Sequence, residues 1–163
     1  MSRSARSSDS DPTARRGGEP WYRDGLRFSC TLCGNCCTGP EGFVWFTAEE
    51  GRAMAGKLGL DEDDFYRAHA RRIGDRWSLK ERVLDDGRHD CVFLDRESMP
   101  GKAVCGLYEA RPTQCRTWPF WAENLTTRAA WEAAKRRAPC PGMDTGRLVP
   151  VESIRIQRDA TPG

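Results

Sequence analysis

Residues 42–46 read GFVWF, a short apolar run that predicts a strand. Thr47 followed by Glu50 is a capping-box signature, in which hydroxyl and carboxylate satisfy each other's backbone N–H groups. The helix it opens is expected to run through AEEGRAMAGKLG and to stop near Gly59. Asp61 reads as the N-cap of a second helix, EDDFYRAHARRI, with acids in the first turn and arginines in the last, as the helix dipole prefers. RWSLKERVL alternates as a strand and DDGRHD is a turn. CVFLD and KAVCGLY should then pair as a hairpin across RESMPG.

Beyond the hairpin the pattern loosens. EARPTQCRTWPFW has no period; Pro112 suits the first position of a one-turn helix and Pro119 would end any helix near it. TTRAAWEAAKRRA is the clearest helix, closed by PCPG. WYRDGLRFSC reads as an extended lead, and the last fifteen residues as a weak element with a frayed end. The predicted class is α+β: a small irregular single domain with short strands, a hairpin and about three helices, organised by cysteine-ligated metal. Its expected division is a disordered tail over 1–20, a metal-binding domain over 21–150, and a terminal element over 151–163. The tail rests on composition, since MSRSARSSDSDPTARRGGEP has too few apolar side chains to offset its ordering entropy.

Charged residues make up 31% of the 163-residue chain, and its mean hydropathy of −0.71 leaves no apolar run of membrane-spanning length. No apolar stretch follows ARRGG as an export signal would require, so a cytoplasmic protein with reduced thiols is expected. There eight cysteines point to metal or redox chemistry rather than to four disulfides. A net charge of +2 is too small to imply nucleic acid. Filling two four-thiolate sites with a divalent ion adds about −2 each, which weakens that reading further. No Ser/His/Asp arrangement, phosphate loop or H-E-x-x-H motif occurs, and the expectation leans away from an enzyme.

Four of the thiols fall in SCTLCGNCCTG: Cys30, Cys33, Cys36 and Cys37. C-x2-C-x2-C lets a chain wrap a metal with its sulfurs inward, helped here by the conformational freedom of Gly34. The spacing serves zinc knuckles and iron–sulfur loops alike, and Cys140–Pro141 supplies a remote Cys-Pro that suits the latter. Adjacent side chains of an extended chain point to opposite faces. Cys36 and Cys37 are therefore expected to face two different sites, ahead of a shared compact cluster or a vicinal disulfide. With Cys91, Cys105, Cys115 and Cys140 the count reaches eight, enough for two four-thiolate sites. Arg111 and Arg116 read as offsetting thiolate charge, with a solvated surface pair as the alternative. Tyr108 reads equally as a hydrogen-bond partner of a ligand sulfur or as a half-buried core residue, and Trp118, Phe120 and Trp121 would pack the core and shield the metal. His89, two residues from Cys91, reads first as a turn residue and second as a ligand or thiol partner; His69 and Arg71–Arg72 read as an exposed helix end.

CTLCGNCC, then CVFL, then CGLYEARPTQCRTWPF, then CPG resembles the YkgJ-type CxxCxxCC cysteine-cluster family of zinc- or iron-chelating domains, from about Phe28 to Gly142. The seven cysteines from Cys30 to Cys115 fall on the family's positions and Cys140 on its frequent CPG; Tyr108, Arg111, Pro112 and Arg116 fall on its polar motif. The resemblance implies chelation of zinc or iron. Some relatives are linked with N-methylation of flagellin lysines, but this chain shows no recognisable methyl-donor site. The leading expectation is a metal-binding protein with two four-thiolate sites, zinc slightly favoured. The alternative is an iron–sulfur protein serving electron transfer or an enzyme such as a protein N-methylase or maturation factor.

Overall fold

A computed structural model describes residues 19–161; nearly all of the expected N-terminal tail lies outside the described residues. The chain begins with β1 (Leu26–Phe28), β2 (Thr38–Gly39) and β3 (Trp45–Phe46), then α1 (Ala48–Leu58) and α2 (Glu62–His69). Six strands follow: β4 (Ala70–Ile73), β5 (Arg76–Leu79), β6 (Glu81–Val83), β7 (His89–Cys91), β8 (Leu94–Asp95) and β9 (Val104–Cys105). A 3-10 turn at Tyr108–Ala110 leads into α3 (Thr113–Arg116), α4 (Ala122–Leu125), α5 (Arg128–Arg137), β10 (Met143–Val149) and α6 (Val151–Ala160). The strands form four small antiparallel sheets, ordered β1-β10, β2-β7-β6, β3-β5-β4 and β8-β9. The class is mixed α+β. Among the described residues no helix is long and apolar enough to cross a membrane.

Side-chain caps set the starts of α1, α2 and α5. Thr47 and Glu50 close both halves of the capping box on α1, which ends on left-handed Gly59. Asp61 caps α2 through the Asp64 N–H, and Thr127 caps α5. Pro112 stands one position before α3 rather than at its first residue.

Two apolar clusters hold these pieces. One gathers Trp131, Phe120, Met143 and Ile154 from α5, the Trp-Pro-Phe segment, β10 and α6. The other gathers Met54, Phe65, Phe46 and Leu107 where α1 and α2 cover the β3-β5-β4 sheet. Burying an aliphatic or aromatic side chain of this kind stabilises by roughly 1.5–3 kcal/mol, so each cluster anchors its own set of elements.

Several expectations change. The second helix stops at His69, and residues 70–73, read as its basic end, form a strand paired with β5 around left-handed Gly74. RWSLKERVL splits at Lys80 into β5 and β6, which belong to different sheets. Cys91 sits at the end of β7, one strand before the β8–β9 hairpin, where Leu94 faces Cys105. Among the described residues there are six α-helices against the expected three or so, two of them single turns. The weak terminal element is a ten-residue helix with Ile154 fully buried. β10, unpredicted because its Asp-Thr-Gly-Arg centre is polar, pairs with β1 across more than a hundred residues.

Candidate metal centre

The pairing of β1 with β10 fixes the start of the cysteine knuckle. The Ser29 N–H donates to the Gly142 carbonyl (3.2 Å), and the Ser29 hydroxyl accepts from the Arg147 N–H (3.1 Å). A Cβ at Gly142 would lie 2.1 Å from the Ser29 carbonyl oxygen, so only glycine permits this approach. Further along, the Ala103 N–H donates to the Leu32 carbonyl and the Cys91 N–H to the Cys37 carbonyl, both at 2.8 Å. These bonds bring the knuckle against the strands that carry Cys91 and Cys105.

Gly34 shapes the knuckle itself. Its φ of +74° starts a turn closed by the Cys37 N–H on the Gly34 carbonyl, at 2.9 Å. The chain is therefore curled, not extended, at Cys36–Cys37. Their sulfurs stand 3.6 Å apart and both line one cavity. The alternation rule predicted opposite faces; the turn overrides it.

That cavity, of about 390 Å³, is lined by Cys30, Cys36, Cys37, Cys91, Cys105 and Cys115. Its wall draws on both apolar clusters, with Trp118 from one and Leu79 and Leu107 from the other. Cys33 and Cys140 are not part of this wall, but they are close enough for each other's charge to be felt. All eight thiols are free.

The electrostatics show crowding. The hydrogen bond from Cys37 pulls the Cys36 thiol down to about 7, against burial and with help from Arg111. Cys37 moves the other way, pushed up by that same pairing, by burial and by the neighbouring sulfurs. Burial and then Cys105 push Cys91 up to about 11. Cys115 rises through burial and through Cys91, Cys36 and Cys105, while Cys105 rises through burial and Cys36, opposed by Arg111. Burial and Cys33 raise Cys140, opposed by hydrogen bonds from the backbone at Gly142 and Met143. Ionising several of these closely spaced thiols together is costly without a cation to neutralise them.

The surrounding residues divide. Arg111 lines the cavity, lies 3.9 Å over the Tyr108 ring and donates to the Tyr108 carbonyl. Arg116 turns away, donating to the Arg111 carbonyl and to the Thr113 hydroxyl, and stands 3.8 Å from Glu50. Tyr108, Trp118 and Trp121 line the wall, whereas Phe120 is buried against Trp131. His89 shares β7 with Cys91 but turns its Nδ1 to Glu81 at 3.5 Å. His69 is half-buried between Phe65 and Phe93, not the exposed residue its sequence setting suggested. Arg71 bridges Glu41 and Glu81 instead of ending a helix. Glu81, the register partner of Cys91, and Phe43 join the wall without a sequence signal. A glutamate in an alternating strand reads as solvent-facing.

The donor set suits a soft or borderline ion, and one two-sulfur bite is already in place. Sulfurs about 2.3 Å from a tetrahedral zinc lie about 3.8 Å apart, close to the 3.6 Å between Cys36 and Cys37. Among the described residues no group of three or more His, Cys, Asp or Glu side chains is gathered so as to hold an ion as they stand.

The comparison with known families agrees with this donor set. The family model CxxCxxCC, described as "Putative zinc- or iron-chelating domain", matches residues 29–141. The chain belongs to the CxxCxxCC family. The match runs from Ser29, where β1 and β10 pin the knuckle, to Pro141 and so takes in all eight cysteines of this CxxCxxCC domain. An uncharacterized protein of Methanocaldococcus jannaschii, MJ0661, is 30% identical over 100 residues, which is 61% of this chain and 48% of the relative. The chain thus spans about half the length of that curated relative. No solved structure matches.

Proposed function

We propose that this chain is a thiolate metal-binding protein of the reducing cytoplasm, with all eight cysteines as ligands and the main centre in the six-thiol cavity. The observation that carries this reading is the Cys36–Cys37 pair, 3.6 Å apart and facing a cavity that four more thiols line. The alternation of an extended chain suggested a seam between two sites at Cys36–Cys37; the curled turn supports a different division. Cys36, Cys37, Cys91, Cys105 and Cys115 form the first centre, and Cys33 with Cys140 belongs to a second, with Cys30 at the edge of both. Arg111 offsets the charge of the first centre. A bound divalent ion would neutralise thiolates that otherwise repel, and its binding would release their protons.

Structural zinc sites are closed and four-coordinate. More than four thiols around an open hollow favour, as the second reading, an iron–sulfur cluster serving electron transfer or an enzyme such as a protein N-methylase or maturation factor. Anaerobic purification followed by metal analysis and a visible spectrum separates the two. Colourless protein with about two zinc ions per chain supports the zinc reading and rejects the cluster. Brown protein with stoichiometric iron and sulfide does the reverse. Metal-free protein with four disulfides rejects both.

A further inference from the structure

The cavity has more room and more chemistry than metal ligation needs. Its volume of about 390 Å³ lies within the ~300–1,000 Å³ of small-molecule sites. Beside the thiols its wall is aromatic: Trp118 and Trp121 meet edge to face at 4.8 Å, while Phe43 and Tyr108 keep 44% and 49% of their surface exposed. The wall also carries charge of both signs, and the signs are not equally committed. Glu81 accepts from the Gly42 N–H at 3.2 Å, faces Arg71 at 3.3 Å and His89 at 3.5 Å, and Glu41 pairs with Arg71 at 2.7 Å. The two arginines of the wall have no such partners. Among the described residues Arg111 and Arg137 form no ion pair; Arg111 donates to a carbonyl, and Arg137 donates to the Asn124 amide oxygen at 3.3 Å. Arg111 is drawn towards the thiolates, whose ionisation it favours. Arg137, exposed in the last turn of α5, has no thiolate duty.

We infer that the cavity binds a small organic anion with an aromatic or apolar body, seated against the Phe43, Tyr108 and Trp121 rings with its anionic group on Arg137. The inference adds an organic ligand to the proposed metal centre and rests on that reading for the loaded state, although the wall residues belong to the chain itself. The committed carboxylates leave no free anion for a cationic ligand, whereas Arg137 offers an unpaired cation beside apolar surface. Such pairing of a buried body with one oriented charge is how concave sites gain specificity.

The probes are 2-naphthoate and 2-naphthylmethylammonium, which share a ring system and differ in charge. Each is titrated into the full, metal-loaded chain by calorimetry, with quenching of tryptophan fluorescence as the second readout. Saturable binding of the naphthoate, at least about tenfold tighter than the ammonium, is expected. Arg137→Gln should remove most of that preference, and Ala138→Trp, which fills the wall, should remove binding of both probes. No saturable naphthoate binding, an equal or reversed charge preference, or an unchanged preference in Arg137→Gln overturns the inference. Metal content is measured on the same samples. Metal-free protein that still prefers the naphthoate defeats the metal reading alone, and metal-loaded protein without the preference defeats this inference alone.

Discussion

Gly34 and Gly59 share a left-handed backbone, with φ of +74° and +69°, but not the same room. A Cβ on Gly34 would stand 2.6 Å from the Ala103 Cβ and 3.2 Å from Leu94 Cδ1, whereas a Cβ on Gly59 meets nothing within 4 Å. Alanine at either position costs about 1–2 kcal/mol for the left-handed backbone, reduced by about 0.4–1 kcal/mol from a stiffer unfolded chain. Gly59→Ala should therefore lose about 1 kcal/mol. Gly34→Ala adds an overpacking cost of about 1–3 kcal/mol, because Ala103 is buried and its N–H is tied to the Leu32 carbonyl. In urea, with a slope of about 2 kcal/mol/M, the two midpoints should separate by about 0.5–1.5 M. The turn at Gly34 also sets the Cys36–Cys37 spacing, so Gly34→Ala should lose bound metal on dialysis while Gly59→Ala keeps it. Coincident midpoints, or equal metal retention, would refute the steric argument.

In reduced, metal-free protein Cys36, held near 7 by the Cys37 hydrogen bond, should be alkylated with a midpoint near that pH. Cys37→Ala should raise the midpoint, which peptide mapping by mass spectrometry reads directly; an unmoved midpoint assigns the shift to another cause. For Asp144, burial works against the charge, but Lys135 and the Trp131 indole N–H, both at 2.9 Å, hold its carboxyl below the ordinary value. A depressed carboxylate stabilises above its unfolded pKa and loses that contribution as pH falls through the folded one. Asparagine tolerates the +63° φ at this position. The Tm gap between wild type and Asp144→Asn should thus be full near neutrality and shrink below about pH 4; a gap unchanged at pH 2 contradicts the assignment. Cys33→Ser should yield domain deficient in metal and readily cut by protease, and wild-type metal content in that variant removes Cys33 from the ligand set.

The features that could be read along the chain are those decided within a few residues. The capping box at Thr47 and Glu50, the Asp61 cap, the α5 helix and the β8–β9 hairpin all depend on neighbours three to eleven residues away. The same holds for the cysteine spacing, and hence for membership of the CxxCxxCC family. The motif also marked Arg111 as a neighbour of the thiols, but it marked Arg116 equally, and only the packing of α3 against Glu50 separates the two.

By itself, then, the sequence determined an α+β chain with eight thiols spaced for metal, the course of α1 and α5, and the start of α2. The tertiary structure decided what those thiols share. Residues 70–73 became a strand because β5 offered backbone partners that a helix end would have left to water. β10 formed despite its polar centre because β1, more than a hundred residues earlier, needed the same bonds. Cys36 and Cys37 came to face one cavity because Gly34 curls the chain there, and the space beside that turn is closed by Ala103 and Leu94. Pairing and packing over such separations depend on which surfaces meet, and periodicity along a chain carries no record of that.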